Sequence, residues 1–210
     1  MKLYWFQVAP NPTRVRLYIA EKNAGGAGIE LEEVVVKLPK GEQNTPEHRA
    51  RNPFGSLPVL ELDDGSTIVE SLAIIDYLEA MFPQPLMWGT TPREMARARE
   101  VERIVEQRLL NPLATYIHAS NSPLGLTPNE HVAQWAAPRW PAALDYLNGM
   151  LSDGRAFLCG DAPSVGDCTL AATLQFARFA KLPVLDGRDA VTRWDACYRE
   201  RPVARTVLTL

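Results

Sequence analysis

One stretch of the sequence decides the fold: residues 52–82, NPFGSLPVLELDDGSTIVESLAIIDYLEAMF. Its first half contains two short apolar segments, residues 58–62 and 67–69, which are separated by DDGS. Because Asp-Gly between two such segments is a strong hairpin signal, they are predicted to be antiparallel neighbouring strands. After Glu70 the apolar residues recur with a helical period as far as Phe82, which predicts a helix with one buried face.

Strands and helices also alternate in the part of the chain that precedes this stretch. Residues 2–6 predict a buried strand, and the Asn11-Pro12 pair predicts the start of a helix that runs to about Lys22. Residues 31–36 are rich in β-branched side chains and predict a second strand, whereas residues 42–51 are polar and favour at most a short helix. Residues 1–82 therefore predict an α/β domain that begins with a βαβ-type unit.

The rest of the chain has helical patterns and no convincing strand. Residues 83–91 are rich in proline and predict a stiff linker between the first domain, residues 1–82, and an all-helical second domain, residues 92–210. A long helix is predicted over residues 92–118, and residues 129–151 predict helices interrupted near two prolines. Ser164 and Asp167 form a capping-box-like start to an apolar helix, which predicts the central helix of a bundle.

Composition disfavours several classes of protein. Of the 210 residues 46% are apolar, and 22 Lys plus Arg against 25 Asp plus Glu give a net charge of -3, so neither nucleic acid nor an anionic membrane is expected as a partner. The N-terminal apolar run breaks at Gln7 and no later run could span a bilayer, so a cytoplasmic protein is expected. The three cysteines form no C-x-x-C pair and no metal-ligand cluster, so no metal site is expected.

The order of these elements resembles that of the cytosolic glutathione transferases, and the motif at residues 52–60, NPFGSLPVL, is similar to the family's stretch leading into a cis-proline. The resemblance implies a thioredoxin-like N-terminal domain, a helical-bundle C-terminal domain and glutathione as co-substrate. Pro58 would be the cis-proline, leaving the backbone N–H and C=O of Leu57 free to pair with the peptide backbone of glutathione. A trans proline at the start of an edge strand is the alternative.

A second motif, Glu70-Ser71-Leu72, resembles the strand-to-helix corner at which the family binds the γ-glutamyl end of glutathione. A helix N-terminus offers free N–H groups and a positive potential, so Ser71 is expected to hold the carboxylate and Glu70 to accept from the ammonium group. The alternative is that Ser71 is an N-cap and Glu70 a first-turn acid. Gln43 resembles the position that reaches the glycyl end, with a solvated loop side chain as the alternative.

The resemblance is incomplete at the family's catalytic position. Where Ser-type members have their serine this chain has Ala9, and where Cys-type members have their cysteine it has Pro10. Asn11 is the remaining candidate, similar to the asparagine of Nu-class-like members, and its amide would stabilise the glutathione thiolate together with the helix dipole. The alternative is that Asn11 is only the N-cap. Thr13 and Arg14 are weaker candidates, and Arg14 is expected to be a surface or interface charge.

The resemblance implies an enzyme of detoxification that transfers glutathione to a small hydrophobic electrophile and acts as a cytoplasmic homodimer. Two other functions stay open: glutathione-dependent reduction of disulfides or peroxides, and a binding or scaffold role without chemistry, which Ala9 favours. Arg108, Tyr116 and His118 on the long predicted helix are possible lining of the second-substrate pocket, with helix surface or core packing as the alternative. No motif identifies the electrophile.

Overall fold

The computed structural model describes residues 1–210, the whole chain. The N-terminal half forms a four-stranded sheet in the order β2-β1-β3-β4. Its strands are β1 (Lys2–Trp5), β2 (Glu32–Val35), β3 (Val59–Glu61) and β4 (Thr67–Val69). β1 is parallel to β2, and the other two pairings are antiparallel. The predicted hairpin is therefore confirmed, within a mixed sheet of the thioredoxin-like type.

Three helices accompany the sheet: α1 (Pro10–Ala24), α2 (Pro46–Arg51) and α3 (Ser71–Met81). α1 begins just before the predicted Asn11, and α3 begins at the predicted corner. Leu3 of the sheet, Tyr18 of α1 and Ile75 of α3 are among the fully buried side chains of the core. Their packing fixes the N-termini of α1 and α3 relative to the strand ends, which positions the site described below.

The C-terminal half is built of helices. They are α4 (Pro92–Ile104), α5 (Asn111–Asn121), α6 (Glu130–Ala136), α7 (Pro141–Met150), α8 (Val165–Phe179), α9 (Asp189–Glu200) and α10 (Pro202–Arg205). A π-helical stretch, Val105–Leu110, joins α4 to α5, so the long helix predicted over residues 92–118 is confirmed with a wider turn at its middle. No helix is both long and apolar enough to cross a membrane.

Helix α8 is the most deeply buried helix of the bundle and packs against α1 of the sheet domain. At its start the Asp167 carboxylate accepts from the backbone N–H of Ser164 at 2.9 Å and from the Ser164 hydroxyl at 2.7 Å. It also accepts from the N–H of Leu158 at 2.9 Å. Burial raises the pKa of Asp167 to about 6. Because a satisfied buried polar group selects one local geometry, Asp167 orients the central helix.

Candidate active site

The register of the sheet brings the segments identified in the sequence to one edge. Tyr4 lies opposite Val59 in the β1–β3 pair, and Val59 lies opposite Val69 in the β3–β4 pair. The end of β1, the start of β3 and the end of β4 therefore meet at the same edge. β2 ends there as well, because Val35 pairs with Trp5. Each of these strand ends is joined to a segment that carries predicted site residues.

The segment before β3 presents a free peptide group. The bond between Leu57 and Pro58 is cis, as predicted. Leu57 is buried, yet its backbone N–H and C=O make no hydrogen bond within the chain. Since the backbone groups of buried residues are almost always paired, this peptide group is available to a ligand that carries a complementary backbone.

The corner between β4 and α3 holds Glu70 and Ser71. Glu70 is exposed and has a left-handed backbone with φ of 72°, which is uncommon for a residue other than glycine. Ser71 is the first residue of α3 and Glu70 precedes it as N-cap, so the alternative that Ser71 is only an N-cap is wrong. The buried Ser71 Oγ accepts from Nε of Arg14 at 2.8 Å and from a second guanidinium nitrogen. Since both contacts use oxygen lone pairs, the Ser71 hydroxyl proton is free to be donated to a carboxylate.

Of the two positions expected for Arg14, the surface is wrong: the residue is buried at the interface between the two domains. It is 1% exposed, and its guanidinium forms ion pairs with Glu102 at 3.0 Å and with Glu106 at 2.6 Å. Arginine is buried only where such partners exist, because an unpaired charge is very costly in the protein interior. Glu102 lies 88 residues away in the sequence, so no local pattern could reveal the pair. Arg14 thus links Ser71 of the sheet domain to the helical domain.

Glu102 completes this network from the helical side. It is fully buried, it accepts from the Thr169 hydroxyl of α8 at 3.3 Å, and its Oε2 has no hydrogen-bond partner. Burial raises the pKa of Glu102 to about 7, although the nearby Arg14 opposes the shift. The carboxyl group therefore titrates close to neutral pH within the network behind Ser71.

The start of α1 offers one free backbone donor in its first turn. Its N-cap is Ala9 and Asn11 occupies the second helical position, so the alternative that Asn11 is only the N-cap is wrong. Pro10 and Pro12 have no backbone N–H, and Thr13 donates its N–H to the Ala9 carbonyl at 3.0 Å. The N–H of the exposed Asn11 makes no bond within the chain. This donor and the positive end of the helix dipole both favour an anion at the start of α1.

A cavity of about 450 Å³ opens beside the start of α1. Its wall includes Ala9 from the start of α1, His118 from α5, and Phe176 and Phe179 from α8. The wall contains no Lys, Arg, Asp or Glu, and His118 has its only titratable side chain. Apolar pockets with few polar groups bind apolar molecules, so this cavity suits an uncharged, apolar one.

His118 was one of three possible lining residues, and it is the one that borders the cavity. Its half-buried ring lies 5.9 Å from the ring of Phe176, and its Nδ1 lies 2.9 Å from Oγ of Ser122. Burial lowers the pKa of His118, so the imidazole is neutral near pH 7. A neutral imidazole in this position can accept a proton from a group bound in the cavity.

The other candidates lie outside the cavity wall. Tyr116 packs edge-on against Trp140 with ring centroids 5.0 Å apart, and Arg108 is exposed on the helix surface. Gln43 lies in a short 3-10 turn, Glu42–Asn44, in the connection that follows β2. Its Oε1 is buried and has no hydrogen-bond partner within the chain.

Two family models match the chain. The model of the glutathione S-transferase N-terminal domain matches residues 9–81. The model of the glutathione S-transferase C-terminal domain matches residues 129–197. The two matches together cover more than half of the chain, and they fall on the sheet domain and on the helical domain respectively.

Individual relatives agree with these matches. The chain is 34% identical to glutathione S-transferase 2 of Saccharomyces cerevisiae over 100% of this chain and 90% of the relative. It is 30% identical to a maleylacetoacetate isomerase of Pseudomonas aeruginosa over 84% of this chain and 81% of the relative. Among solved structures, Gtt2 of Saccharomyces cerevisiae superposes with a TM-score of 0.87 at 33% identity, covering 99% of this chain and 100% of the other.

Proposed function

The chain belongs to the glutathione S-transferase family, and we propose that it binds glutathione along the sheet edge and transfers it to a small apolar electrophile in the adjoining cavity. One observation carries this proposal: the cavity wall includes Ala9 and Pro10, which directly precede Asn11, whose free N–H and the helix dipole favour an anion. We propose residues 1–82 as the glutathione-binding domain, residues 83–91 as the linker and residues 92–210 as the domain that completes the cavity.

The free groups of the sheet edge match the parts of glutathione. The unpaired peptide group of Leu57, ahead of Pro58, would bond the cysteinyl backbone, as one extended peptide pairs with another. Ser71 would donate to the γ-glutamyl carboxylate, and Glu70 would accept from the adjacent ammonium group. Gln43, whose Oε1 lacks a partner, would accept from the glycyl N–H.

The chemistry requires the thiolate of glutathione, because the thiolate is the nucleophile and a free thiol titrates near ~8.5. We propose that Asn11 stabilises the thiolate with its backbone N–H and side-chain amide, supported by the α1 dipole. The thiol proton would pass to the neutral imidazole of His118, directly or through water. The thiolate then forms a C–S bond with the electrophile, and the bond from that carbon to its leaving group breaks with the electron pair.

The cavity also bears on which substrates are accepted. It contains no Lys or Arg, so a substrate with carboxylate groups would find no cation there. No cysteine borders it either, so reduction of a disulfide or peroxide would have to use two glutathione molecules and no protein thiol. An uncharged lipophilic compound fits best, and we propose on this ground that the enzyme acts in detoxification in the cytoplasm.

We also propose that the enzyme is a homodimer. Phe54, in the loop that leads to Leu57, is 72% exposed, the largest exposed fraction among the large apolar side chains of the chain. An aromatic side chain so fully exposed on a short loop is typical of a residue that inserts into a partner. A second copy of the chain is the partner expected.

The decisive experiment is the ultraviolet difference spectrum of protein-bound glutathione, recorded across pH, because it detects the bound thiolate without any choice of electrophile. We expect thiolate to form at a pH at least about one unit below the free value of ~8.5. S-methylglutathione, which binds but cannot ionise, is the matched control ligand. Binding with an unshifted thiol would instead support a scaffold, and absence of binding would overturn the proposal.

A further inference from the structure

The segment that follows α10 forms part of the cavity wall. Residues 206–210, called the tail segment below, follow α10, and two of them, Thr209 and Leu210, border the cavity. They do so together with Phe176 and Phe179, which lie three positions apart and share one face of α8. The wall therefore combines a buried helix with a segment that has no helix or strand structure of its own.

Gln175 attaches this tail segment to α8. The residue is 1% exposed, and its Oε1 accepts from the backbone N–H of Thr209 at 2.7 Å. The bond joins positions 34 residues apart. Because it involves a backbone N–H, it fixes the course of the chain at Thr209 whatever side chain that residue carries.

Arg178 provides a second attachment from the next turn of α8. Its Nε donates to the backbone oxygen of Leu210 at 3.0 Å, and a second nitrogen donates to both oxygens of Asp195 in α9 at 2.9 and 3.1 Å. Asp195 is itself buried and also pairs with Arg199 at 3.3 Å. α9 thus holds Arg178 in place, and Arg178 holds the tail segment.

We propose that Gln175 is a specificity-determining positioning residue, which fixes the tail segment as a cavity wall and thereby sets the largest electrophile that the cavity accepts. The inference rests on the proposed transferase function of the same cavity. Gln175 does not border the cavity, so it acts through Thr209 and Leu210. Its carbonyl oxygen supplies an acceptor that a shorter or apolar side chain at this position cannot supply.

Without this bond the Thr209 N–H has no partner within the chain. The N–H then bonds to water instead, and the tail segment leaves the buried face of α8. As the tail segment moves away, a small electrophile loses the contacts of Thr209 and Leu210, while a bulky one gains space. The expected signature is therefore a change in size preference, rather than a uniform loss of rate for all substrates.

The experiment compares four variants of the full protein with the wild type: Gln175→Ala, Gln175→Glu, a chain ending at Leu208, and the control Gln134→Ala. Gln175→Glu keeps an acceptor for the Thr209 N–H. Gln134 is exposed, and its side chain bonds only to Glu130 of its own helix. The probes are allyl, benzyl and naphthylmethyl isothiocyanate. The glutathione sulfur adds to the central carbon of the probe and its nitrogen takes the proton, so no leaving group is involved.

We expect the kcat/KM ratio of naphthylmethyl to allyl isothiocyanate to rise about tenfold in Gln175→Ala, the size of effect that a lost hydrogen bond or a few apolar contacts produce. The chain ending at Leu208 should show the same rise, whereas Gln175→Glu and Gln134→Ala should keep the wild-type ratio. An unchanged ratio in Gln175→Ala overturns the role of Gln175, and an unchanged ratio in the shortened chain overturns the role of the tail segment as a wall. If Gln175→Ala does not fold, Gln175→Leu, which has a similar size and no acceptor, takes its place.

A second readout separates this inference from the transferase proposal. If the wild type conjugates none of the probes faster than buffer does, the proposed function fails, and binding of the neutral fluorescent probe N-phenyl-1-naphthylamine replaces catalysis. A dissociation constant raised about threefold or more in Gln175→Ala and in the shortened chain supports the role of the tail segment as a wall. Equal dissociation constants in all variants overturn that role.

Discussion

Nε of Arg14 lies 2.8 Å from Oγ of Ser71, across 57 residues of sequence. The contact is buried and comes from a guanidinium that Glu102 and Glu106 hold from the other side. It gives Ser71 a fixed orientation and directs its hydroxyl proton away from Arg14. The hydroxyl is therefore able to donate at the corner of β4 and α3, where the γ-glutamyl carboxylate lies in the proposed complex.

Replacing Ser71 by Ala tests this arrangement. We expect the KM for glutathione to rise about tenfold while kcat stays nearly unchanged. The hydrogen bond to the carboxylate stabilises the bound substrate and the transition state equally, so its loss weakens binding without slowing the reaction of the bound complex. Steady-state kinetics with glutathione as the varied substrate measures both constants. Ser66→Ala is the matched control, since Ser66 is exposed in the hairpin and its hydroxyl bonds only to Asp64. A Ser71→Ala enzyme with a wild-type KM would contradict the assignment.

The raised pKa of Glu102 leads to a prediction of how the stability of the protein depends on pH. Burial raises its pKa to about 7 in the folded protein, whereas an unfolded chain has an ordinary glutamate pKa near ~4.3. The folded state therefore binds this proton more tightly, so the contribution of Glu102 to stability grows as pH falls from about 7 and is lost as pH rises through that value. Glu102→Gln removes this contribution.

The measurement is the difference in melting temperature between wild type and Glu102→Gln, taken at several values from about pH 8 to about pH 5. We expect the wild type to gain relative to the variant as pH falls across this interval. Asp167, whose pKa is raised to about 6, titrates in the same direction, but it is present in both proteins and cancels in the difference. A difference that does not vary with pH would show that Glu102 does not titrate there.

Local sequence patterns predicted the elements but not the network that joins them. The Asp-Gly hairpin between β3 and β4 and the helix after Glu70 depend on neighbouring residues, so their spacing alone indicates them. The partners of Arg14 come from a helix that begins at Pro92, and their approach depends on how the two domains pack. An arginine with no local partner is normally exposed, which is why its burial was missed.

The Asn11-Pro12 pattern predicts Asn11 as the N-cap of α1, but the observed N-cap, Ala9, lies two residues earlier, and this shift changes the interpretation of Asn11. Asn before Pro is a typical N-cap pattern, yet here Ala9 is the cap and Pro10 is the first helical residue. Either proline could serve as the first helical residue, so the local pattern has two solutions. The sequence indicates that His118 lies on a helix. That it borders the cavity depends on how α5, α8 and the β1–α1 connection come together, which no local pattern shows.

Asn11 can be tested with two substitutions. Asn11→Ala should lower kcat about tenfold through loss of the side-chain amide near the sulfur. Asn11→Asp, nearly identical in shape, should raise the pKa of the bound thiol because it places a negative charge beside the thiolate. Neither should cost the ~1 kcal/mol of stability that a lost N-cap costs, because Ala9 occupies that position. Stopped-flow kinetics, the thiol titration and thermal melts check the three statements, and a wild-type kcat in Asn11→Ala would refute the role of the side chain.

Replacing Phe54 should change the assembly state of the protein. We expect Phe54→Ser to shift the proposed dimer to monomer at micromolar concentration, because removal of an aromatic anchor from an interface typically costs at least ~2 kcal/mol. Sedimentation equilibrium measures the effect directly. Trp135→Ser is the control, since Trp135 is 55% exposed on α6 and belongs to the helical domain. A Phe54→Ser protein that dimerises as the wild type does would exclude Phe54 from the interface.

The pH dependence of catalysis tests the proposed role of His118 as the group that accepts the thiol proton. If its neutral imidazole accepts the thiol proton, kcat/KM should fall as pH drops below the pKa of His118, which burial holds below its usual value. His118→Asn keeps a polar group but cannot accept a proton in this range, so the variant should lose about 10²-fold or more in rate, the usual contribution of a positioned base. Its remaining rate should follow only the ionisation of glutathione.

His131→Asn, at an exposed position of α6, controls for the loss of a histidine elsewhere. Should His118→Asn retain both the wild-type rate and the acidic limb of the profile, the thiol proton must leave through solvent, and His118 is then only part of the wall.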